Sequence, residues 1–342
     1  MSRTNAALAT QLDAELVRQA LDLLGPARRL ALLAHEGPDG DCVGSALGLA
    51  HILQAMGKIC VPACADPPGR NLAFLPGIEM FQQDLGAEDF DLVIALDAGE
   101  LSRFGVLYTR HQAFLESAST RILNIDHHLS SHGCGQVNLI DPSAAATAEM
   151  LVLFQQQANL PLPTEAALCL LTGLITDTSS FQFTNTTPRS LEVAAELLRH
   201  GAIPETVVQP LYRERSLAQA RLQAAIIDQA RTSCEGQLIW SWATSATLAS
   251  TGTTPEMDEN TSGMLRDIAG VRVAAFFKSY DKPDQTRLSL RCAAPHNAAE
   301  LCLRLSKGLG GGHARAAGAT FHQPIQETMA YVIGELEKEL SL

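Results

Sequence analysis

The sequence is poor in aromatic residues, poor in cations relative to acids, and without a dense cysteine framework. Aromatics make up 5% of its 342 residues, which weakens the case for a long base-stacking surface. Lys and Arg number 25 against 37 Asp and Glu, a formal net charge of −12. Wrapping duplex nucleic acid by counterion release is therefore excluded as a mode of action, and any nucleic-acid partner is expected to be small. An acidic total still permits binding of a few phosphates, because bound divalent ions and a few arginines reverse the local potential. The eight cysteines, at 42, 60, 64, 134, 169, 234, 292 and 302, contain no C-x-x-C pair. They read as reduced, mostly buried thiols in a reducing compartment. The first twenty residues carry Asp13 and Glu15 among polar residues. They supply neither a signal peptide nor a membrane span, so a cytoplasmic protein with no membrane partner is expected.

What is present is ample apolar material, 46% of residues, in a chain longer than one hydrophobic core usually supports. Helical spacing over residues 5–24 ends at Gly25 and Pro26, and apolar runs at 29–34, 59–63, 91–96 and 121–125 suit buried strands. Helical patterns at 42–56, 148–157, 165–175 and 188–200 alternate with or follow them. Strands alternating with helices predict an α/β fold with a mostly parallel sheet flanked by helices. Residues 211–231 read as one long polar-rich helix, and the strand patterns at 237–243, 271–278 and 286–291, with helices at 297–305 and 326–340, predict a smaller second α/β domain. The expected bounds are 1–200 for the first domain, 201–232 for a helical linker and 233–342 for the second domain.

Chemistry-bearing residues collect at strand ends, where ligands sit in parallel sheets. His35-x3-Asp39-x-Asp41 places three candidate ligands on one turn; the plainer alternative is a surface turn with Asp41 capping the next helix. Asp97 follows a strand, and Asp126-His127-His128 follows another, a grouping costly to assemble unless a ligand uses it. Asp177 ends the run Gly173-Leu174-Ile175-Thr176. A carboxylate-rich two-metal site with imidazole ligands accounts for all of these, and hard oxygen donors with neutral imidazole suit Mn(II) better than a thiolate-rich structural zinc site. Phe181 and Phe183 read as core rather than base-stacking residues.

The segments HEGPDGDCVGSALGL (35–49), LDAGELSRFG (96–105), NIDHHLS (124–130), GLITDTSSF (173–181) and GGGHARAAG (310–318) together resemble the DHH phosphoesterase family. That family includes single-strand exonucleases, family II inorganic pyrophosphatases and small oligoribonuclease/pAp phosphatases. The resemblance implies one Mn(II) on His35, Asp39 and Asp97 and a second on Asp41, Asp97, His127 and Asp177, with Mg(II) as a substitute. It implies that His128 faces the phosphate as a catalytic group, supported by Asp126, in a cleft between the two domains. It further implies a substrate set of Arg103, Ser289, Arg291, Gly310, Gly311, Gly312 and His313. Among family members the compact two-domain form is most similar to the oligoribonuclease/pAp phosphatases. Cleavage of very short single-stranded RNA to mononucleotides and dephosphorylation of adenosine 3',5'-bisphosphate are therefore expected. An inorganic pyrophosphatase or a longer single-strand exonuclease is the enzymatic alternative, a non-catalytic nucleotide-binding protein the alternative of another class. A homodimer is among the assemblies the resemblance allows.

Overall fold

A computed structural model describes residues 11–86, 89–258, 261–280, 282–312 and 314–341. The chain divides into two compact units, Met1–Glu214 and Arg215–Leu342.

In the first unit, helix α1 (Ala14–Leu24) leads into β1 (Arg29–Leu33), α2 (Gly40–Ala55), β2 (Ile59–Ala63), β3 (Leu92–Leu96), α3 (Gly105–Leu115), β4 (Ile122–Asp126) and β5 (Val137–Ile140). Helices α4 (Thr147–Gln157), α5 (Thr164–Asp177), α6 (Pro188–Arg199) and α7 (Pro204–Val208) follow. The strands form one sheet in the order β2-β1-β3-β4-β5, parallel throughout. Along β1, Leu30 and Leu32 enter one core with Leu49, Leu53, Leu151 and Leu170, while Ala31 and Leu33 enter a second with Phe104 and Leu107. The central strands β1, β3 and β4 are thus covered on both faces, which is why they read as largely apolar runs, while the edge strand β5 alternates buried and half-buried residues. Each large side chain buried in this way contributes about 1.5–3 kcal/mol.

Helices α2 and α5 pack unusually closely. A Cβ on Gly44 would stand 2.4 Å from the Cys169 carbonyl oxygen, so only glycine admits this approach. The contact brings the N-terminus of α2, with Asp39 and Asp41, beside the C-terminal half of α5, which ends at Asp177.

The second unit comprises α8 (Leu217–Asp228), β6 (Arg231–Ser233), β7 (Leu238–Thr244), α9 (Ser245–Thr251), α10 (Thr261–Arg266), β8 (Val273–Ser279) and β9 (Thr286–Cys292). It continues with α11 (Ala298–Leu305), β10 (Gly310–Gly312), β11 (Ala316–Phe321) and α12 (Ile325–Leu340). Its sheet runs β10-β11-β9-β8-β7-β6, with β7 and β8 parallel and the other pairs antiparallel. Val273, Ala275 and Phe277 face α11 and α12; Ala274 and Phe276 face Leu222, Ile226, Leu248 and Leu265.

The segment read as a continuous linker helix is broken. Residues 204–213 belong to the first unit, where Val207 is buried in the large core. Glu214 leaves helical geometry at φ −96°, ψ 76°, and Ser216 starts α8 by accepting a hydrogen bond from Gln219 N. Leu222 and Ile226 of α8 then lie in a core of the second unit. A Ser-x-x-Gln cap at 216–219 is the signal that the periodicity hid.

Candidate metal centre

Three loops at the carboxyl ends of the strands, with the last turn of α5, converge in the first unit. His35 follows β1, Asp97 follows β3, Asp126 ends β4 with His127 and His128 next, and Asp177 ends α5. Asp39 caps α2, its Oδ1 accepting from Asp41 N at 3.1 Å and Cys42 N at 3.0 Å. Asp41 lies inside the first turn of α2 and is fully buried, so the reading of it as a solvated cap does not hold. It serves instead as the cap of a different helix. Thr147 N and Ala148 N of α4 donate to its Oδ2 at 2.6 Å and Oδ1 at 3.0 Å, and Ser45 Oγ donates to Oδ1 at 3.2 Å.

The imidazoles are oriented by backbone carbonyls. His35 Nδ1 is 3.0 Å from Glu36 O and His127 Nδ1 is 3.2 Å from Ala144 O. A carbonyl only accepts, so Nδ1 carries the proton and, in the neutral ring, Nε2 presents a lone pair. Both Nε2 atoms face carboxylates. His35 Nε2 lies 3.8 Å from Asp39 Oδ1 and 3.6 Å from Asp97 Oδ2. His127 Nε2 lies 3.2 Å from Asp177 Oδ2, 3.5 Å from Asp97 Oδ1 and 3.9 Å from Asp41 Oδ2. Burial lowers the His127 pKa, but Asp177, Asp41 and Asp97 outweigh it and hold the value well above the usual imidazole range. Burial, with Asp97 and Asp177 alongside, pushes the Asp41 carboxyl well up. Without an ion His127 is thus favoured as an imidazolium against these carboxylates, and a divalent cation between the same groups would take the place of its Nε2 proton. The donor set of carboxylate oxygens and Nε2 atoms fits such ions.

Asp97 stands in both groups. Its backbone has φ +58°, a left-handed conformation that costs a non-glycine residue about 1–3 kcal/mol and persists only where the surroundings enforce it. Asp97 N donates to Ile125 O at 3.0 Å, and Thr147 Oγ1 donates to Asp97 Oδ1 at 2.8 Å.

His128 lies beside these ligand candidates, its Nδ1 3.8 Å from Asp97 Oδ1 in a group with Asp97 and His127. Its Nδ1 donates to Asp126 Oδ1 at 2.8 Å, leaving Nε2 free, and its side chain is 40% exposed. The Asp126 bond holds the His128 pKa up against burial. Burial raises the Asp126 carboxyl, but the bonds from His128 bring it below the ordinary value.

The structure also gathers residues that motif reading passed over. Cys42 Sγ groups with His35 and Asp97 and accepts from His35 N at 3.2 Å. Burial first, then Asp97 and Asp39, holds its thiol well above the usual range, so it stays protonated. Ser45 and Thr147 were also missed, since single hydroxyl residues on helices carry no spacing signal.

Of the substrate candidates, Arg103 is exposed after β3, with its carbonyl accepting from Glu36 N at 2.8 Å. Ser289, Arg291 and Gly310 to Gly312 all lie in the second unit. Gly311 pairs with Gly318, which pairs with Ser289, so the three form one row across β10, β11 and β9. Ser289 and Arg291 share a face of β9, with Leu288 and Leu290 on the other, facing the core. The glycine run is an edge strand rather than a turn. His313 lies outside the described residues. Phe181 packs against the large core as expected, but Phe183 is 59% exposed, because the left-handed turn at 179–181 (φ +48° to +64°) projects the following residues outward.

Comparison with known proteins gives the family. Residues 29–174 match the N-terminal domain of the DHH family and residues 242–340 match the DHHA1 domain. Over 294 residues the chain is 33% identical to the bifunctional oligoribonuclease and PAP phosphatase NrnA of Thermus thermophilus, covering 84% of this chain and 83% of that protein. The chain belongs to the DHH phosphoesterase family. A second DHH relative, the protein of the same name from Bacillus subtilis, is 29% identical over 86% of this chain and 89% of its own length. The DHH fold is shared with an exopolyphosphatase-related protein from Bacteroides fragilis, at TM-score 0.87 and 21% identity, over 96% of this chain and 98% of that one. Exonuclease RecJ bound to manganese matches at TM-score 0.53 and 17% identity, over 96% of both chains. Among the described residues no helix is long and apolar enough to cross a membrane.

Proposed function

We propose that the protein degrades very short single-stranded oligoribonucleotides to mononucleotides and removes the 3'-phosphate of adenosine 3',5'-bisphosphate. The reading is carried by one observation: His35, Asp39 and Asp97 on one side, and Asp41, His127 and Asp177 on the other, converge around Asp97 with both Nε2 atoms turned towards the carboxylates. The names of the Thermus thermophilus and Bacillus subtilis relatives supply the substrate class.

His35, Asp39 and Asp97 would hold one Mn(II), and Asp41, Asp97, His127 and Asp177 a second, Mg(II) serving as a substitute. Bound there, the ions supply activation of water and neutralisation of phosphoryl charge. The residues themselves do the rest. Asp126 fixes the ring of His128 and favours its protonated form, so that Nε2–H donates to a phosphoryl oxygen. Arg103, Ser289, Arg291, the backbone amides of Gly310 to Gly312 and His313 bind substrate phosphates. The net charge of −12 supports small substrates over duplexes, and eight free cysteines support a cytoplasmic setting.

The test is release of phosphate and nucleotides by purified protein with Mn(II). Substrates are a 5'-phosphorylated dinucleotide, a longer single strand, adenosine 3',5'-bisphosphate and pyrophosphate. Preference for the dinucleotide with turnover of the bisphosphate is expected. Preference for pyrophosphate or the long strand would overturn the substrate assignment.

A further inference from the structure

Helix α4 begins without a cap of its own. Ala146 stands at its N-cap position and makes no side-chain bond there. The vacant amides of Thr147 and Ala148 are taken instead by Asp41, which is 106 residues from Thr147 in sequence. The side chain of the same Thr147 turns to Asp97, its Oγ1 donating at 2.8 Å. Thr147 is completely buried, so neither bond competes with water. One residue therefore holds a carboxylate from the first turn of α2 and another from the loop after β3, by its backbone on one side and its hydroxyl on the other.

From this geometry we propose that Thr147 is a positioning residue of the metal centre, locking Asp41 and Asp97 into one frame before any ion arrives. The proposal rests on the two-metal reading above. The oxygens Thr147 holds, Asp41 Oδ2 and Asp97 Oδ1, are the ones that face His127 Nε2 at 3.9 and 3.5 Å, and Asp97 Oδ2 is left to face His35 Nε2 at 3.6 Å. The hydroxyl also pins Asp97 in its left-handed conformation, which an unrestrained aspartate would leave. Groups that orient ligand carboxylates in this way typically control metal affinity by about 10–100-fold. Because Asp97 serves both groups of donors, loss of its hydroxyl partner acts on both. Ser45, whose Oγ reaches only Asp41 at 3.2 Å, acts on one.

The experiment is calorimetric titration of metal-free protein with Mn(II), alongside thermal unfolding without metal. Wild type is compared with Thr147→Val, Thr147→Ser and Ser45→Ala. Thr147→Val is expected to weaken both binding steps by about 10–100-fold. Thr147→Ser, which keeps the hydroxyl, is expected to stay close to wild type, and Ser45→Ala to weaken a single step. Thr147→Val binding Mn(II) as tightly as wild type would overturn the proposal, as would Thr147→Ser failing to rescue while unfolding at the wild-type temperature. Wild type that binds no Mn(II) would instead bring down the two-metal reading and this proposal with it.

Discussion

Gly173 on α5 faces the Asp41 carboxylate so closely that a Cβ added to it would stand 2.5 Å from Asp41 Oδ1 and 2.8 Å from Ala148 Cβ. The glycine thus sets the clearance between α5, the buried carboxylate and the α4 turn that caps it. Gly173→Ala forces one of them to move, at an overpacking cost of about 1–3 kcal/mol. A unit of this size loses about 2–4 °C of Tm for each kcal/mol. Thermal unfolding should show that fall, and Mn(II) titration should show weaker binding. An unchanged Tm with unchanged Mn(II) affinity would mean that α5 shifts freely, against the close packing described.

The same contact explains what the sequence discloses and what it conceals. Strands β1 to β4 are legible because they are buried along almost their whole length and so read as apolar runs, whereas the edge strand β5, alternating buried and half-buried residues, was missed. His35, Asp97 and the Asp126 to His128 group are legible because each follows such a run, while Asp177 ends a helix. Thr147 was not legible, since its role depends on a helix meeting a carboxylate 106 residues away, and no local pattern records that meeting. Phe183 was misread because hydrophobicity alone does not tell which way a left-handed turn sends the next side chain. The edge strand of Gly310 to Gly312 was hidden by its composition, since glycine carries no strand propensity and pairs here through backbone alone.

Chelation provides a second check. With no cation present, Asp41, Asp97 and Asp177 face one another with only imidazoles between them. A ligand that binds only the folded state adds about 2.7 kcal/mol at 100 times its Kd. Treatment with a chelator should therefore lower Tm and abolish activity, and Mn(II) should restore both. Asp97→Asn should lose the Mn(II)-dependent rise in Tm, because Asp97 belongs to both groups. A Tm indifferent to chelator and to Mn(II) would remove the metal centre from the account.

The His128 and Asp126 pair predicts the pH behaviour. The raised pKa of His128 gives a contribution that is complete below the ordinary imidazole value of 6.5 and lost as pH rises through the raised folded value. The lowered pKa of Asp126 gives one that is present above the ordinary 3.8 and lost as pH falls through the lowered folded value. The ion pair is therefore at full strength between those two ordinary values. Asp126→Asn removes the largest cause of the His128 shift, so the His128 pKa should fall. Titration of the metal-free protein by NMR should show it, and the alkaline limb of kcat should move to lower pH. If the limb stays in place, a group other than His128 governs it.

Arg291 tests the substrate set separately from the metals. Its Nε donates to Ser262 Oγ at 3.4 Å, and its side chain lies on the same β9 face as Ser289, in the strand flanked by β8 and β11. Half-buried, it is partly stripped of water, so an anion placed against its terminal nitrogens gains charge-assisted hydrogen bonds worth about 1.5–3 kcal/mol. Arg291→Ala should therefore lower kcat/KM for a dinucleotide by roughly 10- to 150-fold, while leaving Mn(II) affinity unchanged, since every metal-ligand candidate belongs to the first unit. Arg291→Lys should recover only part of the loss, because an ammonium keeps the charge but not the planar fork that meets a phosphate with two parallel bonds. Full activity in Arg291→Ala would take the arginine out of the substrate site. A parallel loss of Mn(II) binding would show that the two units are not independent in the way their separate cores suggest.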